Sequence, residues 1–335
     1  MLEQDEGREI DLTLSFSHPF EGLGMTLDRP VSFGMTHDGT RTDLLDALSE
    51  TEVMGEAGFG LTQRLERPGT YIFTMEPQPY WEPAEDAFII HYTKTYVSAY
   101  GEDEGWDSEL GLKTEIVPLS KPFGLWSGNV FQGIVKLDGE PVPYAEVEVE
   151  YYNEDLSAQA PSDLMITQTV KADADGVFTY AAPQSGWWGF AALNTADYTL
   201  PAGWRGQGGG TGRGDLGAFR RVDDRMRKTL FALAVMAALP AFAHQLNVFA
   251  SVDGTDVVVE AKFSSGKVPQ VGEVRVYDAT DALLVTLPLT GEETLRFPLD
   301  PVAAQQGLRI EVNTGEGHED YWILTPDDIA AGQTN

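Results

Sequence analysis

Hydrophobic residues recur at every second position along much of this chain, the spacing of half-buried β-strands. In Ile10-Asp11-Leu12-Thr13-Leu14-Ser15-Phe16 the apolar side chains share one face of an extended segment. Tyr71-Ile72-Phe73-Thr74-Met75 and Phe88-Ile89-Ile90-His91-Tyr92 are β-branched and aromatic runs, with the proline-rich break Glu76-Pro77-Gln78-Pro79 between them. Residues 43–48 read as a short turn of helix, and no long amphipathic helix occurs in the first 200 residues. From about Leu125 the pattern tightens. Residues 129–135 form a strand, Asp138-Gly139 signals a hairpin, and 144–152 set Ala145, Val147, Val149 and Tyr151 against Glu146, Glu148 and Glu150. A turn and strand at 173–180 and a strand at 186–190 follow, spacing that predicts an immunoglobulin-like sandwich.

The same logic returns after residue 244. Strands are predicted at 246–250, 256–263, 273–278, 283–288, 294–299, 308–313 and 320–324, with Gly254, Gly266, Gly291 and Gly315 between strands. Between the two β-rich parts the pattern changes character. Arg225-Met226-Arg227-Lys228 is basic, and residues 229–243 (TLFALAVMAALPAFA) carry no charge and end in Ala241-Phe242-Ala243. A basic start, an apolar centre and small residues at the −3 and −1 positions make a secretory signal peptide. The stretch is short for a membrane span, which needs about 20 residues; a buried core helix is the alternative. Residues 201–217 are glycine-rich and read as a flexible linker. Met1 opens on an acidic run with no leader of its own, so the first module reads as clipped at its start, as if two secreted proteins were joined in one frame.

The predicted fold class is therefore all-β, with two or three immunoglobulin-like or β-sandwich domains and an internal signal-peptide-like helix. The expected order is an N-terminal β domain (1–122), a sandwich (123–200), a linker (201–225), the signal-like segment (226–243), a small sandwich (244–326) and a loose polar tail (327–335).

Charge narrows the partners. The 335 residues carry a net charge of −31: −25 over residues 1–200, +4 over 201–228 and −10 beyond. Such a surface repels nucleic-acid phosphates and anionic lipid heads. There is no cysteine, which removes disulfides and thiolate metal sites. No nucleophile elbow, H-E-x-x-H motif or glycine-rich phosphate loop is present, so the reading is non-enzymatic.

Several blocks are distinctive. His18-Pro19-Phe20-Glu21-Gly22, the stretch 79–86, Ile89-Ile90-His91-Tyr92-Thr93-Lys94, Thr114-Glu115-Ile116-Val117-Pro118-Leu119, 128–133 and 186–193 resemble the larger periplasmic accessory subunit of nickel/cobalt uptake transporters, over residues 9–199. Residues 226–326, from 244–250 to 317–326 most visibly, resemble the smaller companion subunit of the same transporters. The resemblance implies a periplasmic, metal-handling accessory protein beside an energy-coupling-factor type permease and its other subunits, with Ni2+ or Co2+ as the transported ion. The signal-like segment leaves two possibilities, cleavage or a tether through 229–243. The first module departs from that pattern where the glycine-rich stretch after Leu200 stands in place of a closing strand. The alternative function is a non-catalytic adhesion or carbohydrate-binding sandwich protein.

Five histidines are available, and nickel accepts imidazole, amine and carboxylate ligands. Cleavage after Ala243 would expose His244, whose α-amine and ring could chelate one ion; the alternative is an ordinary polar residue near the leader. His18 with Glu21 is a half-site or a loop-ordering hydrogen bond. His91 is a ligand or an inner-face histidine satisfied by its neighbours. His318, in an acidic turn, gathers a cation or is simply solvated. His37 reads as a hairpin residue. Glu82, Glu85 and Asp86 form a carboxylate cluster or a structural loop, Asp173-Ala174-Asp175-Gly176 reads as a β-turn, and Trp187-Trp188 should bury one ring and present the other.

Overall fold

The computed structural model describes residues 2–4, 7–82, 87–200, 211–217, 220–222, 246–263, 267–315 and 318–333. The described residues are all-β apart from short 3-10 turns and one terminal helix. It forms two compact units.

The first unit comprises Arg8–Ala99 and Glu104–Thr229. Its spine is a ten-stranded sheet in the order Thr167–Lys171, Glu146–Tyr152, Gly186–Thr199, Thr211–Gly217, Ala87–Ala99, Gly69–Glu76, Ser32–His37 and Thr40–Asp43. Tyr80–Glu82 pairs with Ala87–Ala99 and Arg220–Val222 with Gly186–Thr199, off that path. A four-stranded sheet of Thr114–Pro118, Val130–Leu137, Glu140–Pro141 and Val177–Ala181 is the second layer. The two share a core of Ile90, Ile116, Phe131, Val147, Phe178 and Phe190, all buried. The boundary expected at 122/123 falls inside this shared core. Ile90 and Ile116 come from strands before that boundary and pack with Phe131 and Phe190 from after it. The inward phase of Ala87–Ala99, at Phe88, Ile90 and Tyr92, is too apolar to leave uncovered.

The glycine-rich linker also contains order. Thr211–Gly217 runs parallel to Ala87–Ala99, with Ile90 opposite Gly214, and antiparallel to Gly186–Thr199, with Asn194 opposite the same glycine. The closing strand is therefore supplied by residues with no hydrophobic alternation, because backbone pairing on both sides replaces a side-chain pattern.

Expected turns appear with the geometry their residues favour. Asp38 and Gly39 have φ of 47° and 67°, and Asp138 and Gly139 have 50° and 82°, the paired left-handed conformation of a type I′ hairpin. Asp173 Oδ1 accepts from the backbone N–H of Asp175 and Val177, making the turn predicted there. A 3-10 turn occupies Leu45–Ala47. Trp188 is buried and Trp187 half-buried.

The second unit contains a three-stranded sheet, Leu246–Asp253, Asp256–Phe263 and Thr294–Pro298, and a four-stranded one, Leu283–Pro288, Glu273–Asp278, Leu308–Gly315 and His318–Leu324. All seven predicted strands are found. Val248, Val259, Val276, Ile310 and Trp322 fill the core. Leu2–Gly7 and Tyr100–Asp103 belong to this unit. The Gln4 side chain donates to Tyr321 O at 2.6 Å and accepts from Ile323 N at 3.1 Å.

The tail expected to be loose is instead the helix Pro326–Gln333. Thr325 caps it: Thr325 Oγ1 accepts from Asp328 N at 3.3 Å, and Asp328 Oδ2 accepts from Thr325 N at 3.0 Å. Pro326 supplies a preset φ at the first helical position, and Ile329 is buried. The signal-like segment 226–243 lies outside the described residues. Among the described residues no helix is long and apolar enough to cross a membrane.

Candidate functional site

The resemblance block around His18 folds into a small hairpin of Phe16–His18 and Leu23–Met25, with Phe16 opposite Met25 and His18 opposite Leu23. Gly22 N–H donates to His18 O at 3.0 Å, and Gly22 takes a φ of 66° to close the turn. Both His18 and Glu21 are exposed at its tip.

The tip is fastened to the end of strand Glu146–Tyr152. Phe20 N donates to Glu150 Oε1 at 2.9 Å, and Asn153 N donates to Pro19 O at 3.2 Å. Asn153, itself buried, organises both sides of the junction. Its Nδ2 donates to Phe20 O and to Ala158 O, each at 3.0 Å, while its Oδ1 accepts from Ala158 N at 3.0 Å. All three polar positions of the amide are used, so the 153–158 loop and the hairpin tip are held as one rigid piece.

Two leucines stand out from that piece. Leu156 is 58% exposed and adopts a φ of 55°, a conformation that a leucine rarely accepts. Its Cδ2 lies over Gly22, so close that a Cβ there would meet it at 2.8 Å. Leu23 on the hairpin is 56% exposed. Further along the same loop, Leu164 and Met165 are exposed as well, around the 3-10 turn Asp163–Met165.

His91 connects to the hairpin through Phe16. The two rings are 5.3 Å apart, and Phe16 also packs edge-on against Tyr80 at 4.8 Å. Phe16, two residues before His18 on the same strand, is the contact that joins His91 to the hairpin. Burial lowers the His91 pKa to about 4, which keeps the imidazole neutral at pH 7. Among the described residues, no group of three or more His, Asp or Glu side chains is placed to hold a metal ion. His244 lies outside the described residues, as do Glu85 and Asp86 and the side chains of Glu82 and His318. His37 is structural: it stacks on Tyr71 at 4.0 Å, and its Nδ1 is 3.3 Å from Thr70 O.

The sequence reading missed a buried ion pair. Lys94 and Glu115 are paired with side chains 0% and 2% exposed. Lys94 Nζ also donates to Ser108 O at 2.8 Å. Glu115 Oε1 accepts from Leu110 N at 2.9 Å, and Oε2 from Gly111 N at 2.9 Å and Leu112 N at 3.2 Å. Burial pulls the Lys94 pKa down, opposed by the Glu115 charge. The pair fastens the 108–112 loop against the sheet. Its one signal in sequence is a lysine at an inward position of an alternating strand: Ile90, Tyr92, Lys94, Tyr96.

No curated protein matches the chain. Solved structures to which the chain is similar include native alpha-2-macroglobulin from Escherichia coli over its NIE-MG1 domains (10% identity, TM-score 0.21, covering 64% of this chain and 98% of that one). A two-domain fibronectin type-III segment of chicken tenascin is similar at 10% identity and TM-score 0.20, covering 63% and 97%. A bacterial ice-binding adhesin is similar at 11% and 0.21, covering 95% and 90%. A family model also matches residues 1–196, which hold the hairpin, the Asn153 junction and the buried pair, and the chain belongs to that family, the domain of unknown function DUF4198.

Proposed function

We propose that this protein is an extracytoplasmic accessory component of a nickel or cobalt uptake transporter that acts by docking on the membrane permease. The observation that carries the reading is the meeting of two transporter-like blocks in one place. His18-Pro19-Phe20-Glu21-Gly22 forms an exposed, rigidly braced tip, and the block holding His91 packs against the base of the same hairpin through Phe16. A braced, projecting tip suits recognition of a partner, since little conformational freedom is lost on binding. Exposed His18 and Glu21 supply an imidazole and a carboxylate there for an ion in transit. A neutral His91 does not repel a divalent cation.

The test is radioactive nickel and cobalt uptake in the native host, with the gene deleted and then restored, together with co-purification of the full chain with the permease from host membranes. Uptake should fall to the level of a strain lacking the permease, return on complementation, and fall again with His18→Ala plus Glu21→Ala. Unchanged uptake of both ions on deletion would remove the transport reading.

A further inference from the structure

The 153–166 loop and the 16–25 hairpin tip carry more than the two polar residues at the tip. We propose that Leu156, Leu23, Leu164 and Met165 form an apolar docking face for a protein surface rimmed by lysine and arginine. On the transport reading, on which this inference rests, that surface belongs to the extracytoplasmic face of the permease.

Three observations converge. The first is exposure: these four side chains are 58%, 56%, 86% and 50% exposed and come from one loop and the hairpin braced to it. Large apolar side chains left this exposed on one loop and the hairpin fastened to it suit an interaction surface. The second is backbone strain. Leu156 sits at φ 55°, where a β-carbon is crowded, yet the loop is fixed there by Leu156 N donating to Asn153 O at 3.0 Å and Ser157 N donating to Asp155 Oδ1 at 3.0 Å. The side chain covers Gly22 on one side and leaves more than half of its surface in solvent, and strain of this kind gathers at binding sites.

Charge is the third. Residues 16–25 and 150–166 contain Glu21, Glu150, Glu154, Asp155 and Asp163 and no lysine or arginine. An apolar face carried on so acidic a stretch of chain favours a cationic rim and disfavours an anionic membrane surface.

The experiment uses the full chain and permease-containing host membranes solubilised in detergent, with capture of the permease measured over a range of salt. Leu156→Gly should reduce capture about tenfold or more, the loss of one well-packed anchor, while the melting temperature stays equal to or above wild type. Leu164→Asp with Met165→Asp should reduce capture without touching the strained position. Glu154→Lys should weaken capture and flatten its salt dependence. A photo-crosslinker at position 156 should join the chain to the permease. If wild type captures the permease and these variants do so equally, the docking face is wrong and the transport reading stands. If wild type captures no permease and deletion leaves uptake unchanged, both fail. Binding of the full chain to phosphatidylglycerol vesicles through Leu156 would overturn the proposal in favour of lipid.

Discussion

A lysine with no solvent exposure is stable only if its charge is fully answered, and Lys94 meets that condition through Glu115 and Ser108 O. Removing one member of such a pair leaves the other charged and buried, at a cost of about 3–5 kcal/mol. Lys94→Met should therefore destabilise the first unit by that order in denaturant melts. Adding Glu115→Leu should restore only part of the loss, because the N–H groups of Leu110, Gly111 and Leu112 would then lack their acceptor. Two other buried groups give opposite pH dependences. His91 is lowered to about 4, so the unfolded chain binds more protons between about pH 4 and 6.5, and its contribution is lost as pH falls through that window. Burial raises Asp320 to about 6, although it accepts from Val248 N at 3.0 Å. Here the native state binds more protons, so its contribution is present at low pH and lost as pH rises from about 4 to 6. Each window is worth on the order of 3 kcal/mol. Thermal melts of His91→Phe and Asp320→Asn against wild type should show the two slopes flattening in opposite senses; parallel curves for either variant would contradict that assignment.

Legibility differs most clearly between one element and the next. The strands of the second unit are plain in sequence because they are dense in β-branched and apolar residues, as in Val257-Val258-Val259, all three buried, with Ala261 continuing the inward face. The Pro326–Gln333 helix is not, since it buries only Ile329 and carries Gly332 where the backbone comes close to Val252 O. What announces it is local capping chemistry, Thr325-Pro326-Asp327-Asp328, rather than periodicity. The candidate site was half legible. His18 and Glu21 stand out as residues, but their bracing depends on Asn153, which lies 133 positions from Phe20 in the chain and looks like any loop asparagine. Asn153→Ala should cost about 1–3 kcal/mol through the buried carbonyls and N–H it leaves without partners. It should also speed amide exchange at Phe20, Glu21 and Gly22 while leaving exchange in Ala87–Ala99 unchanged. Uniform acceleration across both would mean that the junction holds the whole unit rather than the tip.

Across the whole molecule, the sequence conveys fold class better than domain limits. A hydrophobic pattern tells which face of a strand is buried but not which strand buries it, and Ile90 and Ile116 find their partners beyond residue 130. The glycine-rich 211–217 stretch gives the opposite lesson: it has no pattern to read, and its order comes from the backbones on either side. A chain ending at Leu200 should therefore be less stable than one ending at Arg225 and should form soluble aggregates at concentrations where the longer form stays monomeric, seen by size-exclusion chromatography and thermal melts. Equal behaviour of the two would show that the strand contributes nothing.

The parallel placement of Thr211–Gly217 also sets a schedule. A chain crossing a membrane or leaving a ribosome presents Ala87–Ala99 and Gly186–Thr199 long before the strand that lies between them. Until residue 217 emerges, two long edges of unpaired N–H and C=O groups face solvent, open to the neighbouring copy of the chain. The largest sheet among the described residues is closed by one of the last segments of its unit to arrive, and the interval before that arrival is when it most needs a chaperone.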